Sequence, residues 1–171
     1  MSSSALGRVV LGRTGLSVAT IGLGASALGG VFGAVDESTA IATVHAALAA
    51  GINLFDTAPA YGATRSERVL GLALHGVPRD AFVLSTKAGK TTDDAGIDTF
   101  DYSERAIRDS VDRSRERLGV ERLDIVHLHD FDYQAGRHVD QILAEGFPTL
   151  QALKAAGVIG AVGAGIYFMD L

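Results

Sequence analysis

Five short apolar runs, at 18–22, 52–55, 82–85, 123–128 and 158–162, recur about 34 residues apart, and each leads through a polar or glycine-rich connector into a segment of helical periodicity. Asp36 can cap a helix bearing Ile41, Val44 and Leu48, with Gly51 just past its end. Ser66 can open a second holding Val69, Leu70 and Ala73, stopped by Gly76 and Pro78. Ser103 can cap a third with Ile107, Val111, Ser114 and Leu118 on one face, closed by Gly119. The fourth region is less regular, since Gly146 and Pro148 break it before a segment at 149–156 that ends at Gly157. Strands alternating with helices imply parallel βαβ units with right-handed crossovers. Such units build either a doubly wound sheet or an eight-fold barrel. Five strands close no barrel and can form an open sheet.

The 171 residues suffice for one buried domain, expected over 1–171, and argue against two. Much of the excess of glycine, 21 in all, falls at the strand-end loops and helix stops that the repeat requires. A hydrophobic content of 47% excludes a disordered chain. The absence of cysteine removes disulfides, thiolate metal sites and thiol nucleophiles together. A net charge of −5 without a Lys/Arg cluster argues against nucleic acid as a partner. Arg8 and Arg13 precede an uncharged stretch at 14–35 containing Ala25-Ser26-Ala27, as a signal peptide would. Gly22, Gly24, Gly29, Gly30 and Gly33 interrupt that stretch, so it reads as a strand leaving into a loop, with no membrane partner and a cytoplasmic location expected.

Both candidate architectures place their sites at the carboxyl ends of strands. The second strand ends at Asp56, the third at Lys87 and the fourth at His129, and Tyr61 stands in the loop after the second. Alternation along a strand puts Leu54 with Asp56, Ser85 with Lys87, and Ile125 with His127 and His129. A phenol in water loses its proton only near pH 10, so a tyrosine serves as acid or base near neutrality only where a cation stabilises its anion. Lys87 is the candidate cation, Asp56 its counter-charge, and His129 the group that orients a reacting oxygen. Each residue alone has a structural explanation: a cap, a packed ring, a surface charge, a core imidazole. Four at successive strand ends point instead to proton transfer.

These residues resemble the aldo-keto reductase family. Phe55-Asp56-Thr57-Ala58-Pro59-Ala60-Tyr61-Gly62 with Ser66-Glu67 and Leu70-Gly71, then Ser85-Thr86-Lys87, then Leu123-Asp124-Ile125-Val126-His127-Leu128-His129-Asp130, follow its second-, third- and fourth-strand motifs. The segment from Leu11 to Gly24 is similar to its N-terminal hairpin and first strand. The resemblance implies a (β/α)₈ barrel of the TIM type, of which this chain would hold about five strands, and hydride transfer between NADP or NAD and a carbonyl or alcohol. It implies Tyr61 as proton donor or acceptor, tuned by Lys87 and Asp56, with His129 orienting substrate. It places Gly24, Ala25 and Asp56 at the nicotinamide. Gly29-Gly30-Val31-Phe32-Gly33, Phe100-Asp101-Tyr102-Ser103 and Phe147-Pro148-Thr149-Leu150 resemble the branch that oxidises aldoses of the fucose or galactose type. That branch implies oxidation at the anomeric carbon, with Tyr61 as base.

Rival motifs are weaker. Gly22-Leu23-Gly24 lacks a correctly placed third glycine, and Leu84 stands where a P-loop ending in Gly89-Lys90-Thr91 needs its first. His127 and His129 with Asp130 and Asp132 suggest a metal-dependent barrel hydrolase, but Lys87 opposes a cation there, and no metal is expected. His127 is expected inside the barrel, and His45, His75 and His138 carry no assigned role. The family's fifth strand commonly runs on to an asparagine for the carboxamide, where this chain has Tyr167 four residues before its end. Eight units would need about 276 residues. The alternative is therefore a truncated, non-catalytic product whose open sheet edges pair with another chain.

Overall fold

The structure, a computed structural model, describes residues 6–166, so Tyr167 lies outside the described residues. The chain opens with an antiparallel hairpin of β1 (Arg8–Val10) and β2 (Ser17–Ala19). A parallel five-stranded sheet follows, in the order β3 (Leu23–Gly24), β4 (Leu54–Asp56), β5 (Val83–Ala88), β8 (Leu123–Leu128) and β9 (Ile159–Ala164). Four of the five apolar runs became strands of this sheet. The first did not: Val18 and Ala19 belong to the hairpin, and the sheet begins at Leu23. Asn53 explains the split, because its side-chain amide accepts from the Ala19 N–H at 2.8 Å and donates to the Ser17 carbonyl at 3.0 Å. These bonds hold β2 at the foot of β4.

Helix α1 (Glu37–Ala49) is capped as expected by Asp36, whose carboxylate accepts from the Thr39 N–H at 2.8 Å. Hydrogen bonds from Ser38 and Thr39 hold that carboxyl well below the usual range. Helix α3 (Glu104–Leu118) starts on Ser103, buries Ile107, Val111, Ser114 and Leu118, and ends on a left-handed Gly119. Helix α2 (Arg65–Leu74) opens one residue before Ser66. Ser66 lies within the helix and is fully buried, and its hydroxyl bonds the Ala25 carbonyl at 2.6 Å and the Thr57 hydroxyl at 2.8 Å.

The fourth region also differs. A short α4 (Tyr133–Gly136) precedes α5 (Val139–Gln141), which runs through a π-turn (Ile142–Gly146) into α6 (Phe147–Ala155). Gly146 has helical angles, and Pro148 sits in the first turn of α6, where its missing N–H costs no bond. An additional antiparallel hairpin, β6 (Lys90–Thr92) and β7 (Asp98–Phe100), fills the connection from β5 to α3. Phe55, Leu84, Val126 and Ile159 from the sheet pack with Val44, Leu70, Ile107 and Leu150 from α1, α2, α3 and α6 in one apolar cluster. The strand register places Gly24, Asp56, Ser85 and Ile125 in one row, with Lys87, His127 and Gly163 in the next. Among the described residues no helix is long and apolar enough to cross a membrane.

Candidate active site

Lys87 projects from the carboxyl end of β5 and is 9% exposed. Its ammonium donates to Asp56 Oδ2 at 2.6 Å and to the Thr57 carbonyl at 2.8 Å, and it lies 4.8 Å from the centre of the Tyr61 ring. Ser85 donates to the other Asp56 oxygen at 2.7 Å, so both oxygens of that carboxylate are engaged. The His129 ring stands edge-on to Tyr61, with centroids 5.7 Å apart. The structure thus brings Asp56, Tyr61, Lys87 and His129 together at the strand ends.

The loop carrying Tyr61 is held rigidly. Gly62, Ala63 and Thr64 all have left-handed φ, a conformation that residues bearing a side chain adopt only where their surroundings impose it. The imposing contacts come from the loop after β3. A Cβ on Gly62 would stand 2.0 Å from the Gly29 carbonyl oxygen, and one on Gly29 would stand 2.6 Å from that of Tyr61, so only glycine fits at either place. Arg65 then ties the two loops, donating to the Leu28 carbonyl at 2.8 Å and the Val35 carbonyl at 2.6 Å.

Gly24 lies beside Asp56, and a Cβ there would meet nothing within 4 Å, which leaves a clear flat surface next to the carboxylate. Ala25 is fully buried, its N–H on the Asp56 carbonyl and its own carbonyl accepting from Ser66. Nδ1 of His129 is buried without a hydrogen-bond partner among the described residues. An open plane beside Asp56, whose partner Lys87 lies against the Tyr61 ring, fits the flat, polar end of a nicotinamide with its substrate. A groove of about 380 Å³ between α3 and the β6–β7 hairpin is lined by Thr91, Thr99, Arg105 and Arg113, and none of the four residues reaches it.

His127, in register with Lys87, faces the same side, and its ring fills the space where Gly163 has no side chain. Burial depresses its basicity, which Asp56 opposes and Lys87 reinforces. Burial likewise pushes His129 down to about 4, against the pull of Asp130. Among the described residues, no three His, Asp or Glu side chains gather as a metal site would require. Lys90 and Tyr102 appear in sequence motifs without a part in the site, yet both stand beside His129. The Tyr102 hydroxyl donates to the His129 carbonyl at 2.5 Å, and Lys90 pairs with Asp130. The turn Asp93-Asp94-Ala95-Gly96 between two alternating runs is the signal that marks their hairpin.

The depressed imidazole has a consequence for stability. Between pH 6.5 and about 4 the unfolded chain binds a proton at His129 that the folded chain refuses. Stability is therefore expected to fall as pH drops through that window, by up to about 3 kcal/mol, and to lose this slope below it. Urea titrations at stepped pH check this. His129→Gln should flatten the slope, and an unchanged slope would assign it elsewhere.

Residues 20–167 match the aldo/keto reductase family. Over 155 residues the chain is 44% identical to L-galactose dehydrogenase of Arabidopsis thaliana, covering 90% of this chain and 46% of that protein. Over 176 residues it is 39% identical to D-threo-aldose 1-dehydrogenase of a Pseudomonas species, covering 91% and 52%. The solved holo form of an aldo-keto reductase from Bacillus halodurans superposes with a TM-score of 0.79 at 29% identity, over 93% of this chain and 50% of that one. The chain spans about half the length of the curated relatives it matches.

Proposed function

The chain belongs to the aldo/keto reductase family, its parallel sheet an incomplete (β/α) barrel of that family, and on that premise we propose that its strand-end cluster performs proton transfer in an NAD(P)-dependent oxidation of an aldose. One observation carries this reading. The Lys87 ammonium is held by Asp56 and Thr57 and lies against the ring of a tyrosine that the His129 imidazole meets edge-on. The sugar specificity rests on relatives named L-galactose dehydrogenase and D-threo-aldose 1-dehydrogenase.

NAD or NADP, when bound, supplies the hydride acceptor for oxidation and the hydride donor for the reverse reaction. Gly24, beside Asp56 and next to the buried Ala25, would offer it an open surface. Tyr61 takes the proton of the anomeric hydroxyl as that carbon is oxidised to a lactone, and returns it in the reverse direction. Lys87 stabilises the negative charge on the phenolic oxygen. Asp56 balances the buried ammonium and, through Ser85, fixes where it points. His129 hydrogen-bonds the reacting oxygen and orients it.

The test is nucleotide reduction by the purified chain with an aldose such as fucose. Tyr61→Phe should lower turnover by about 10²–10⁴-fold, the usual worth of a positioned acid or base. A folded chain that binds neither nucleotide would sink this reading. It would favour a non-catalytic product that associates through the edges of β3 and β9.

A further inference from the structure

We propose that Asp130, anchored by Lys90, is a positioning residue that keeps the proton of His129 on Nε2, the ring nitrogen left to donate to the reacting oxygen. The inference rests on the role given to His129 above. Asp130 has φ +49, a left-handed conformation rare for a residue with a side chain. Bonds on every side impose it: the His129 N–H on the Ala88 carbonyl, the Phe131 N–H on the Gly165 carbonyl, and the Tyr133 N–H on the Asp130 carbonyl. With its backbone so fixed, the Asp130 side chain is only 12% exposed; it meets Lys90 Nζ at 2.9 Å through Oδ2 and lies 3.7 Å from His129 Nε2 through Oδ1.

The 3.7 Å separation decides the argument. It is too long for a hydrogen bond, so Asp130 does not consume the Nε2–H. It is short enough for the carboxylate's field to favour a proton on Nε2 over Nδ1. Nδ1 points the same way, since it is buried without a partner and a proton there would be a stranded donor. His129 is left with one tautomer and an N–H free to donate to substrate.

Lys90 makes the carboxylate a fixed charge. Burial works against its ammonium, but hydrogen bonds to Asp130 and Asp98 outweigh that and raise its basicity above the ordinary value. Its ammonium also lies 5.5 Å from the centre of the Phe100 ring and 5.8 Å from that of Tyr133. The other charged and titratable groups around His129 are Lys87 on β5, Asp56 on β4, Tyr61 in its loop, Asp98 on β7, and Tyr102, whose hydroxyl bonds the His129 carbonyl. Among these the Asp130 carboxylate has a contact to the imidazole edge itself.

Imidazole nitrogen NMR on the full chain without nucleotide reads the tautomer directly, with the His129 signals identified by their loss in His129→Gln. The wild type should show one tautomer, protonated at Nε2. Asp130→Asn should give a mixture and lower the apparent pKa of His129 by about one unit or more. Lys90→Met should also give a mixture, and Lys90→Arg should keep the single form. If Asp130→Asn does not fold, Lys90→Met decides. A wild type protonated at Nδ1, or a single Nε2–H form persisting in the variants, overturns the proposal. Because no turnover is measured, a chain that oxidises no aldose would defeat the reading of the reaction while the NMR result still judged Asp130.

Discussion

Lys87→Met is expected to lower nucleotide-dependent aldose oxidation by about 10²–10⁴-fold while leaving the chain folded. The two halves of that expectation have different physical origins. Met keeps the length and apolar stem of lysine, so the packing along β5 survives. What disappears is the charge 4.8 Å from the Tyr61 ring, and with it the stabilisation of the phenolate on which proton transfer depends. The partners left behind are not stranded equally. The Asp56 side chain is 39% exposed and keeps its bond from Ser85, so water takes over the lost interaction. The Thr57 carbonyl loses a donor at a buried position. The stability loss is accordingly expected at about 1–3 kcal/mol, the cost of leaving a buried acceptor unsatisfied. Steady-state kinetics and a urea titration of the same preparation separate the effects. Turnover within tenfold of wild type would remove Lys87 from the chemistry, whatever the melt showed.

How much of this was legible in the sequence depends on how local each signal is. Helix α3 could be read outright, because Ser103, the Ile107–Val111–Ser114–Leu118 face and Gly119 are all decided within one helix. The start of helix α2 could be read to within one residue, but the work of Ser66 could not, because it bonds Ala25 and Thr57, partners set by the tertiary fold. The first strand was misplaced for the same reason, since Asn53, more than thirty residues on, decides that Val18 and Ala19 join the hairpin. Gly146 and Pro148 look like breakers, yet a π-turn and a first-turn position accommodate both. In the site, alternation puts Ser85 and Lys87 on one face, and the β4–β5 register then sets Asp56 level with Ser85 and within reach of Lys87. Lys90 and Tyr102 could not be placed in advance, because they reach His129 only after the β6–β7 hairpin folds back and Asp130 turns left-handed.

Glu67→Ala should do the reverse of Lys87→Met and act first on folding, with an expected loss of about 3–5 kcal/mol. Glu67 sits in the first turn of α2 and is completely buried. It accepts from the Thr86 hydroxyl on β5 at 2.6 Å and from Arg117 Nε on α3 at 2.7 Å, so one carboxylate joins a strand and two helices. Removing it strands a guanidinium whose side chain is 18% exposed and a threonine hydroxyl that is nearly inaccessible. The Thr86 hydroxyl has no route to solvent, and Arg117 is left with its bond to Ser114 at 3.2 Å, since α2 and α3 are in backbone contact where Gly71 faces the Arg117 carbonyl. Glu67→Gln should fall between, keeping the Thr86 bond but leaving Arg117 without a counter-charge. Glu67→Leu combined with Arg117→Met should recover much of the loss, since the penalty lies in a broken pair more than in a missing one. Chemical denaturation of the four proteins tests this. If the double variant is no better than Glu67→Ala, the pair itself is net stabilising and the desolvation argument fails at this site. Because α2 begins just after Tyr61, slackening at Glu67 will also loosen the Tyr61 loop. The order in which stability and turnover fail in denaturant then tells a residue that holds the site up from one that works within it.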